Sequence, residues 1–176
     1  MNVSEIVRIA GILLLLMGVS TARAQEDFEH APIHYSATTP NNVISILAER
    51  LQRGEVQLKH EPEQGYLPAL LEQLAVPVES QALVFSKTSL QRHRISPRTP
   101  RAIYFNDEIY VGYCRSGDVL EISATDPKLG TVFYTLDQKN TQRPVFTRQT
   151  DNCLLCHSSS RTGGIPGHLV RSLMVD

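Results

Sequence analysis

The spacing of hydrophobic residues changes character along this chain. Residues 43–51 carry apolar side chains at helical spacing, which predicts an amphipathic helix packed against a core. Asn41 or Asn42 can cap its first turn, and Gly54 can end it. A second helix is predicted within 65–78, where a proline suits the first turn and another lies beyond the end. The first part of the chain is therefore expected to be mainly helical.

From Gln81 onwards, short runs of branched and aromatic residues are separated by turn-forming residues. This pattern predicts strands at 82–86, 102–106, 108–114, 119–126 and 131–137. Asn106 and Asp107 mark a tight hairpin. Short strands joined by turns favour an antiparallel sheet, so we predict an α+β fold with N-terminal helices followed by that sheet. The part from about Arg148 shows neither spacing and is predicted to be rich in loops.

The amino terminus has the features of an export signal. Arg8 gives it a positive charge, 9–19 is an apolar run, and the small-x-small site that ends at Ala24 suits a signal peptidase. A membrane anchor is the alternative, but the apolar run is shorter than the roughly 20 residues needed to span a bilayer. We predict that 1–24 is a cleaved signal peptide and that the mature protein is periplasmic or otherwise exported, with no membrane span.

Composition limits what the mature chain does. The full sequence has 176 residues, is 41% hydrophobic and 20% charged, and has a net charge of −1. A packed core is therefore feasible, and nothing favours a nucleic-acid partner. The remaining 25–176 has the length of one domain. Within it we expect 25–80 to be mainly helical, 81–147 mainly strands, and 148–176 to carry the chemistry.

That chemistry centres on Cys153, Cys156 and His157, which form a Cys-x-x-Cys-His motif. The motif is typical of covalent haem attachment. On one helical turn two residues three apart share a face, so both sulfurs can reach the vinyl groups of one porphyrin while the next imidazole reaches the iron. Asp151 or Asn152 is expected to cap this turn.

The iron ligands and their supporting groups are less well determined by the sequence. The second ring nitrogen of His157 needs a fixed acceptor, for which we predict the carbonyl of Pro166. Met174 and His168 are both candidates for the distal iron ligand, and an open distal site is equally compatible with the sequence. Arginines on either side of the loop could pair with the haem propionates. These arginines are Arg161 and Arg171.

Other interpretations of the motif remain open. Zinc could bind Cys153, Cys156 and His157 with Cys114 or His168 as a fourth ligand. A thioredoxin-like dithiol would require a βαβ context that the predicted elements do not supply. Cys114 itself is more typical of a small buried hydrophobic residue. A local basic cluster at 91–101 is either a solvated loop or a surface that attracts an acidic partner.

The sequence from 84 to 138, together with 143–172 and its "RPVFTRQTDNCLLCHSSSRTGGIPGHLVRS", resembles a family of exported bacterial cytochrome c-domain proteins found in planctomycetes. The resemblance implies covalent haem through Cys153 and Cys156, proximal iron ligation by His157, and a redox role outside the cytoplasm. Members of that group continue well beyond the motif, so a truncated chain is one expectation of the resemblance.

The predicted function is that of a c-type cytochrome domain that carries one covalent haem c and transfers single electrons to or from a redox partner protein. One alternative is a haem enzyme with an open distal side that acts on peroxide. The other is a non-haem binding domain stabilised by zinc or a disulfide. An electron carrier is favoured over a catalyst because no acid-base pair is evident in the sequence.

Overall fold

A computed structural model describes residues 27–169 of the chain. Two helices precede the sheet, α1 (Val43–Gln52) and α2 (Leu67–Gln73), and a third, α3 (Leu154–His157), follows it. The strands are β1 (Ala82–Val84), β2 (Arg101–Phe105), β3 (Ile109–Tyr113), β4 (Val119–Asp126), β5 (Gly130–Asp137) and β6 (Phe146–Gln149). The α+β class is thereby confirmed. The predicted signal peptide lies outside the described residues.

Helix α1 is capped as one of the two predicted asparagines allows. The Asn42 side chain accepts hydrogen bonds from the backbone amides of Ile44 and Ser45, and the Ser45 hydroxyl accepts one from the Asn42 amide. These bonds satisfy amides that the first turn of a helix leaves without partners. Ile44 and Leu47 face the core, and Gly54, at φ 72°, takes a left-handed conformation just beyond the helix.

Helix α2 is short and buries one face. It has proline in its first turn, as predicted, and its Leu67, Leu70 and Leu71 are buried. The Tyr66 side chain, just before the helix, is fully buried and its hydroxyl donates to the carbonyl of Thr141 over 2.9 Å. Because Thr141 follows β5, this bond joins the helical part of the chain to the sheet.

The six strands form one antiparallel sheet in sequence order, β1-β2-β3-β4-β5-β6. The predicted hairpin between β2 and β3 is present, and the side chain of Asn106 accepts from the amides of Glu108 and Ile109 at its turn. One strand was not predicted. The chain from about Arg148 was expected to be rich in loops, but Arg148 and Gln149 belong to β6, which pairs with β5 with Tyr134 opposite Arg148. The strand is short and lacks a long apolar run, so only its partner identifies it.

The sheet has two faces with different roles. Leu120, Ile122 and Leu136 are buried on the face that packs against the helices, in one hydrophobic core. Alternate residues point to the other face, because side chains alternate along a strand. Glu121 lies opposite Thr135 in the register, and Phe133 lies opposite both Ser123 and Gln149. This second face carries the candidate site.

A buried carboxylate ties α1 to the sheet. Asp126, only 3% exposed, ends β4 and accepts from the Asn41 amide over 2.7 Å and from the Asn42 side chain over 3.3 Å. It also accepts from the amides of Lys128 and Leu129 over 3.0 Å, which shapes the β4–β5 turn. Four donors compensate for the desolvation of one charge. No helix among residues 27–169 is long and apolar enough to cross a bilayer.

Candidate functional site

Strand β6 delivers the Cys-x-x-Cys-His motif to the edge of the sheet. The chain leaves β6 at Gln149, and the main-chain carbonyl of Asp151 accepts from the amide of Leu154 over 3.0 Å. The amide of His157 donates to the carbonyl of Cys153 over 3.0 Å, which closes one helical turn. Leu154 is 2% exposed and anchors this turn in the core. The motif therefore has the local helical geometry that the spacing predicts.

The predicted side-chain cap on this turn is wrong. Cys153 occupies the N-cap position of α3 and has no side-chain cap bond. The Asp151 carboxylate instead accepts from the amide of its neighbour Asn152 over 2.6 Å. The turn begins through the main-chain carbonyl of Asp151, so the side chains of both residues stay outside it. The preference of aspartate for N-cap positions does not distinguish a cap made by its side chain from a turn that begins at its main-chain carbonyl.

The ring of His157 is held in a defined orientation. Its Nδ1 lies 3.0 Å from the carbonyl oxygen of Gly167, and the amide of Gly167 donates back to the His157 carbonyl over 2.9 Å. A carbonyl oxygen can only accept, so Nδ1 carries the proton, and in the neutral ring Nε2 carries the lone pair that a metal requires. The ring also packs on Phe133, with ring centroids 4.6 Å apart.

The predicted acceptor for His157 was one residue away from the observed one. The carbonyl of Pro166 is engaged by the amide of Thr131 over 2.9 Å, at the start of β5. That bond docks the loop on the sheet, and the next carbonyl, that of Gly167, faces the imidazole. The type of interaction was predicted correctly. The residue depends on how the loop meets β5, which local sequence does not specify.

The loop between His157 and Gly167 is ordered by its own hydrogen bonds. Ser158 is 2% exposed, and its hydroxyl donates to the carbonyl of Gly164 over 2.8 Å. The hydroxyl of Ser159 accepts from the amide of Arg161. Gly163 and Gly164 have φ of 65° and 77°, a region that glycine enters without a steric penalty. The loop therefore has a defined conformation, and it places the carbonyl of Gly167 against the His157 ring.

A pocket of about 380 Å³ opens beside the motif on the second face of the sheet. This volume is within the range of sites that bind organic ligands, about 300–1,000 Å³. Cys153, Cys156 and His157 all line it, so the three motif residues share one cavity. Its other apolar and aromatic lining includes Leu90, Ile103, Tyr110, Phe133 and Leu169.

An ion pair that the sequence did not indicate forms part of the pocket wall. The Arg101 guanidinium donates from Nη1 to Glu121 Oε2 over 2.6 Å, and the Ser89 hydroxyl donates to Glu121 Oε1 over 2.6 Å. Both charged side chains are largely buried, at 13% and 16% exposed. The Nε of Arg101 is buried without a hydrogen-bond partner. Arg101 and Glu121 lie 20 residues apart on different strands, so no local sequence pattern predicts that they form an ion pair.

The two cysteines of the motif differ in environment. Cys156 is exposed, whereas Cys153 is half-buried, and burial, with a smaller effect of the nearby Glu121, raises the pKa of its thiol to about 12. Cys114 is buried, as predicted, and burial raises the pKa of its thiol too. In the metal-free protein both thiols are therefore held in the protonated form. A thioether needs no ionised sulfur in the finished protein.

The candidates for the distal ligand fall in different parts of the chain. His168 lines the pocket, with Nδ1 3.0 Å from the Ser123 hydroxyl and Nε2 3.2 Å from the Thr125 hydroxyl. Burial, and to a lesser extent His157, lowers the pKa of His168. Because each ring nitrogen of His168 lies within hydrogen-bond distance of a hydroxyl, ligation of iron by His168 would break one of these two hydrogen bonds. Met174 lies outside the described residues.

The arginines predicted to meet acid groups do not line this pocket in the described part of the chain. Arg161 is exposed and is absent from the pocket wall, and Arg171 lies outside the described residues. Arg92 and Arg101 do line it, and both belong to the basic cluster at 91–101. That cluster was expected to be a solvated loop or a partner surface. Arg92, His93 and Arg98 are exposed, as a solvated loop would have them, and Arg92 and Arg101 in addition line the cavity beside the motif.

The donor set fits haem better than zinc. Among residues 27–169, no three histidine, cysteine, aspartate or glutamate side chains lie together in a way that could hold a metal ion. Zinc needs about four such ligands. Haem supplies four nitrogens of its own, so one imidazole with a fixed tautomer is enough on the proximal side. Two cysteines one turn apart beside that imidazole, at the edge of an aromatic-lined pocket, suit a covalently attached porphyrin.

Comparison with protein-family models, with curated proteins and with solved structures found no match to this chain. The functional conclusion therefore depends on the motif and on the geometry around it.

Proposed function

We propose that this protein is a c-type cytochrome domain that binds one haem c through Cys153 and Cys156, with His157 as the proximal iron ligand. The observation that carries the proposal is the hydrogen bond between His157 Nδ1 and the Gly167 carbonyl, 3.0 Å long. It fixes the ring in the tautomer that a metal requires, within the motif that attaches haem. A solvated histidine would need no such partner.

In this proposal the haem supplies one-electron chemistry, and the protein holds it in place. Cys153 and Cys156 would hold the haem through thioether bonds to its two vinyl groups, and His157 would bind its iron through Nε2. Leu154 and Phe133, 2% and 4% exposed, are apolar neighbours that keep water from the proximal side. Such shielding is one of the factors that set a haem reduction potential.

The setting of the proposed activity follows from the same chemistry. Covalent haem attachment takes place outside the cytoplasm, in agreement with the export signal predicted at 1–24. The protein would exchange single electrons with a redox partner protein. The peroxide-enzyme alternative differs only on the distal side, where an open iron site would bind small molecules.

Intact mass tests the proposal directly. The secreted protein, made in cells competent for haem ligation, is expected to exceed the mass of the mature polypeptide by one haem. Replacing both Cys153 and Cys156 by serine should remove this increment. Cys114→Ser is the matched control and should retain it, because Cys114 is buried just after β3 and does not line the pocket. A wild-type protein with the bare polypeptide mass would contradict the proposal.

Ligand binding separates the electron carrier from the enzyme. The reduced haem protein of an electron carrier with two protein ligands should bind carbon monoxide slowly or not at all. Rapid binding would instead favour the peroxide enzyme. His157→Ala should keep the thioethers, and hence the haem mass, while altering the absorption spectrum of the iron.

A further inference from the structure

The pocket beside the motif carries an excess of positive charge. Its charged lining residues are Lys87, Arg92, Arg101 and Glu121. Three cations against one anion leave two positive charges, with histidines counted as neutral. Arg101 is largely buried and pairs with Glu121, so the excess charge is carried by Lys87 and Arg92, whose exposed side chains also line the pocket. A positive excess of this kind favours an anionic ligand.

These cations come from one side of the sheet. Lys87 and Arg92 belong to the segment between β1 and β2, and Arg101 is the first residue of β2. Cys153 and His157 follow β6, at the opposite edge of the sheet order. A ligand attached at the cysteines and extending across this face would therefore direct its far side towards the three cations.

Arg101 is the cation best prepared to bind an acid group. Its Nη1 donates to Glu121 Oε2 over 2.6 Å, and the Ser89 hydroxyl donates to the other oxygen of the same carboxylate over 2.6 Å. Its Nε is buried and has no hydrogen-bond partner. Arg94 and Arg148 also have such an Nε, but neither side chain lines the pocket. The Arg101 side chain lines the pocket and is 13% exposed, and a guanidinium fork matches a carboxylate.

We propose that Arg101, supported by Lys87 and Arg92 at the mouth of the pocket, binds the acid groups of a planar apolar ligand. This inference rests on the proposed function, in which those groups are the two haem propionates. Their two negative charges match the excess on the pocket wall. The assignment replaces Arg161, which the sequence suggested and which does not line the cavity.

Porphyrin binding to the haem-free full chain tests the proposal without iron or redox activity. The probes are metal-free protoporphyrin IX and its dimethyl ester, which differ only in the charge of the acid groups, and fluorescence gives each dissociation constant. A charge-assisted hydrogen bond changes an equilibrium constant by about tenfold or more. The wild-type chain should therefore bind the ester about tenfold or more weakly than the acid.

The variants locate the effect. Arg101→Gln alone would leave Glu121 buried without its counter-charge, so the test variant is Arg101→Gln with Glu121→Gln, whose fold is checked by circular dichroism. It should lose about tenfold of the discrimination between acid and ester and keep only the smaller contributions of Lys87 and Arg92. Arg161→Gln is the control and should keep the full discrimination. Lys87→Gln or Arg92→Gln should each reduce it by about two- to threefold, less so at high salt, because both side chains are exposed.

The outcomes distinguish this inference from the proposed function. Equal affinity of the wild-type chain for acid and ester would overturn the role of Arg101, and so would discrimination in the double variant as strong as in the wild-type chain. A haem-sized mass increment in the same wild-type protein would leave the proposed function standing. Failure to bind either porphyrin, together with a bare polypeptide mass, would overturn both.

Discussion

Replacing Phe133 by alanine should loosen the loop that orients His157, in addition to destabilising the fold. Phe133 is 4% exposed, lines the pocket, and packs its ring 4.6 Å from that of His157. The Gly167 carbonyl that fixes the imidazole belongs to the same loop. Removing the aromatic ring takes away the surface on which His157 rests, whereas the backbone bonds of the loop remain.

Leu136→Ala is the matched control for this change. Leu136 is fully buried three residues further along β5, so its side chain points to the opposite face, towards the helices. Truncation of a buried phenylalanine or leucine to alanine costs roughly 2–5 kcal/mol. Both variants should therefore lose about 3 kcal/mol in the free energy of unfolding, measured with urea. Because both variants lose a similar amount of global stability, any difference between them in hydrogen exchange of the loop reflects the local contact with Phe133.

Hydrogen exchange of the Gly167 amide measures that difference, because this amide donates to the His157 carbonyl over 2.9 Å. Loops exchange through local opening under native conditions. A ring pair contributes about 0.5–1.5 kcal/mol beyond area burial, which corresponds to roughly two- to tenfold faster exchange in Phe133→Ala. The control should exchange at the wild-type rate. Equal acceleration in both variants would refute the role of Phe133 as the support of the loop.

Two further predictions concern the fold and the thiols. Asp126→Ala should lower the free energy of unfolding by about 3 kcal/mol, since four donors, two of them buried, lose a charged acceptor. Asp137→Ala removes an exposed carboxylate and should cost less than about 1 kcal/mol; equal losses by urea denaturation would contradict this. In the haem-free protein at pH 8, iodoacetamide should label exposed Cys156 well before Cys153, whose raised pKa keeps it protonated. Peptide mass spectrometry gives the order, and Cys153 labelling should rise as the pH approaches 12; preferential labelling of Cys153 at pH 8 would contradict its burial.

The features that the sequence alone determined are local ones. The cap at Asn42, the hairpin after β2, and the single turn that joins Cys153 to His157 each depend on residues within a few positions of one another. Hydrophobic spacing was also sufficient for the α+β class, because five of the six strands have strong branched and aromatic patterns. The haem interpretation also comes from a contiguous motif, and it stays a prediction.

Tertiary structure decided everything that joins distant segments. The sequence of β6 lacks a strong strand pattern of branched and aromatic residues, and the strand forms because it pairs with β5. The choice of Gly167 rather than Pro166 as the partner of His157 follows from the docking of the loop at Thr131. Arg101 begins β2 and the motif follows β6. The two line one pocket because the strands between them lie side by side in a single sheet. Such contacts depend on the packing of the whole chain, and a local pattern of residues carries no record of them.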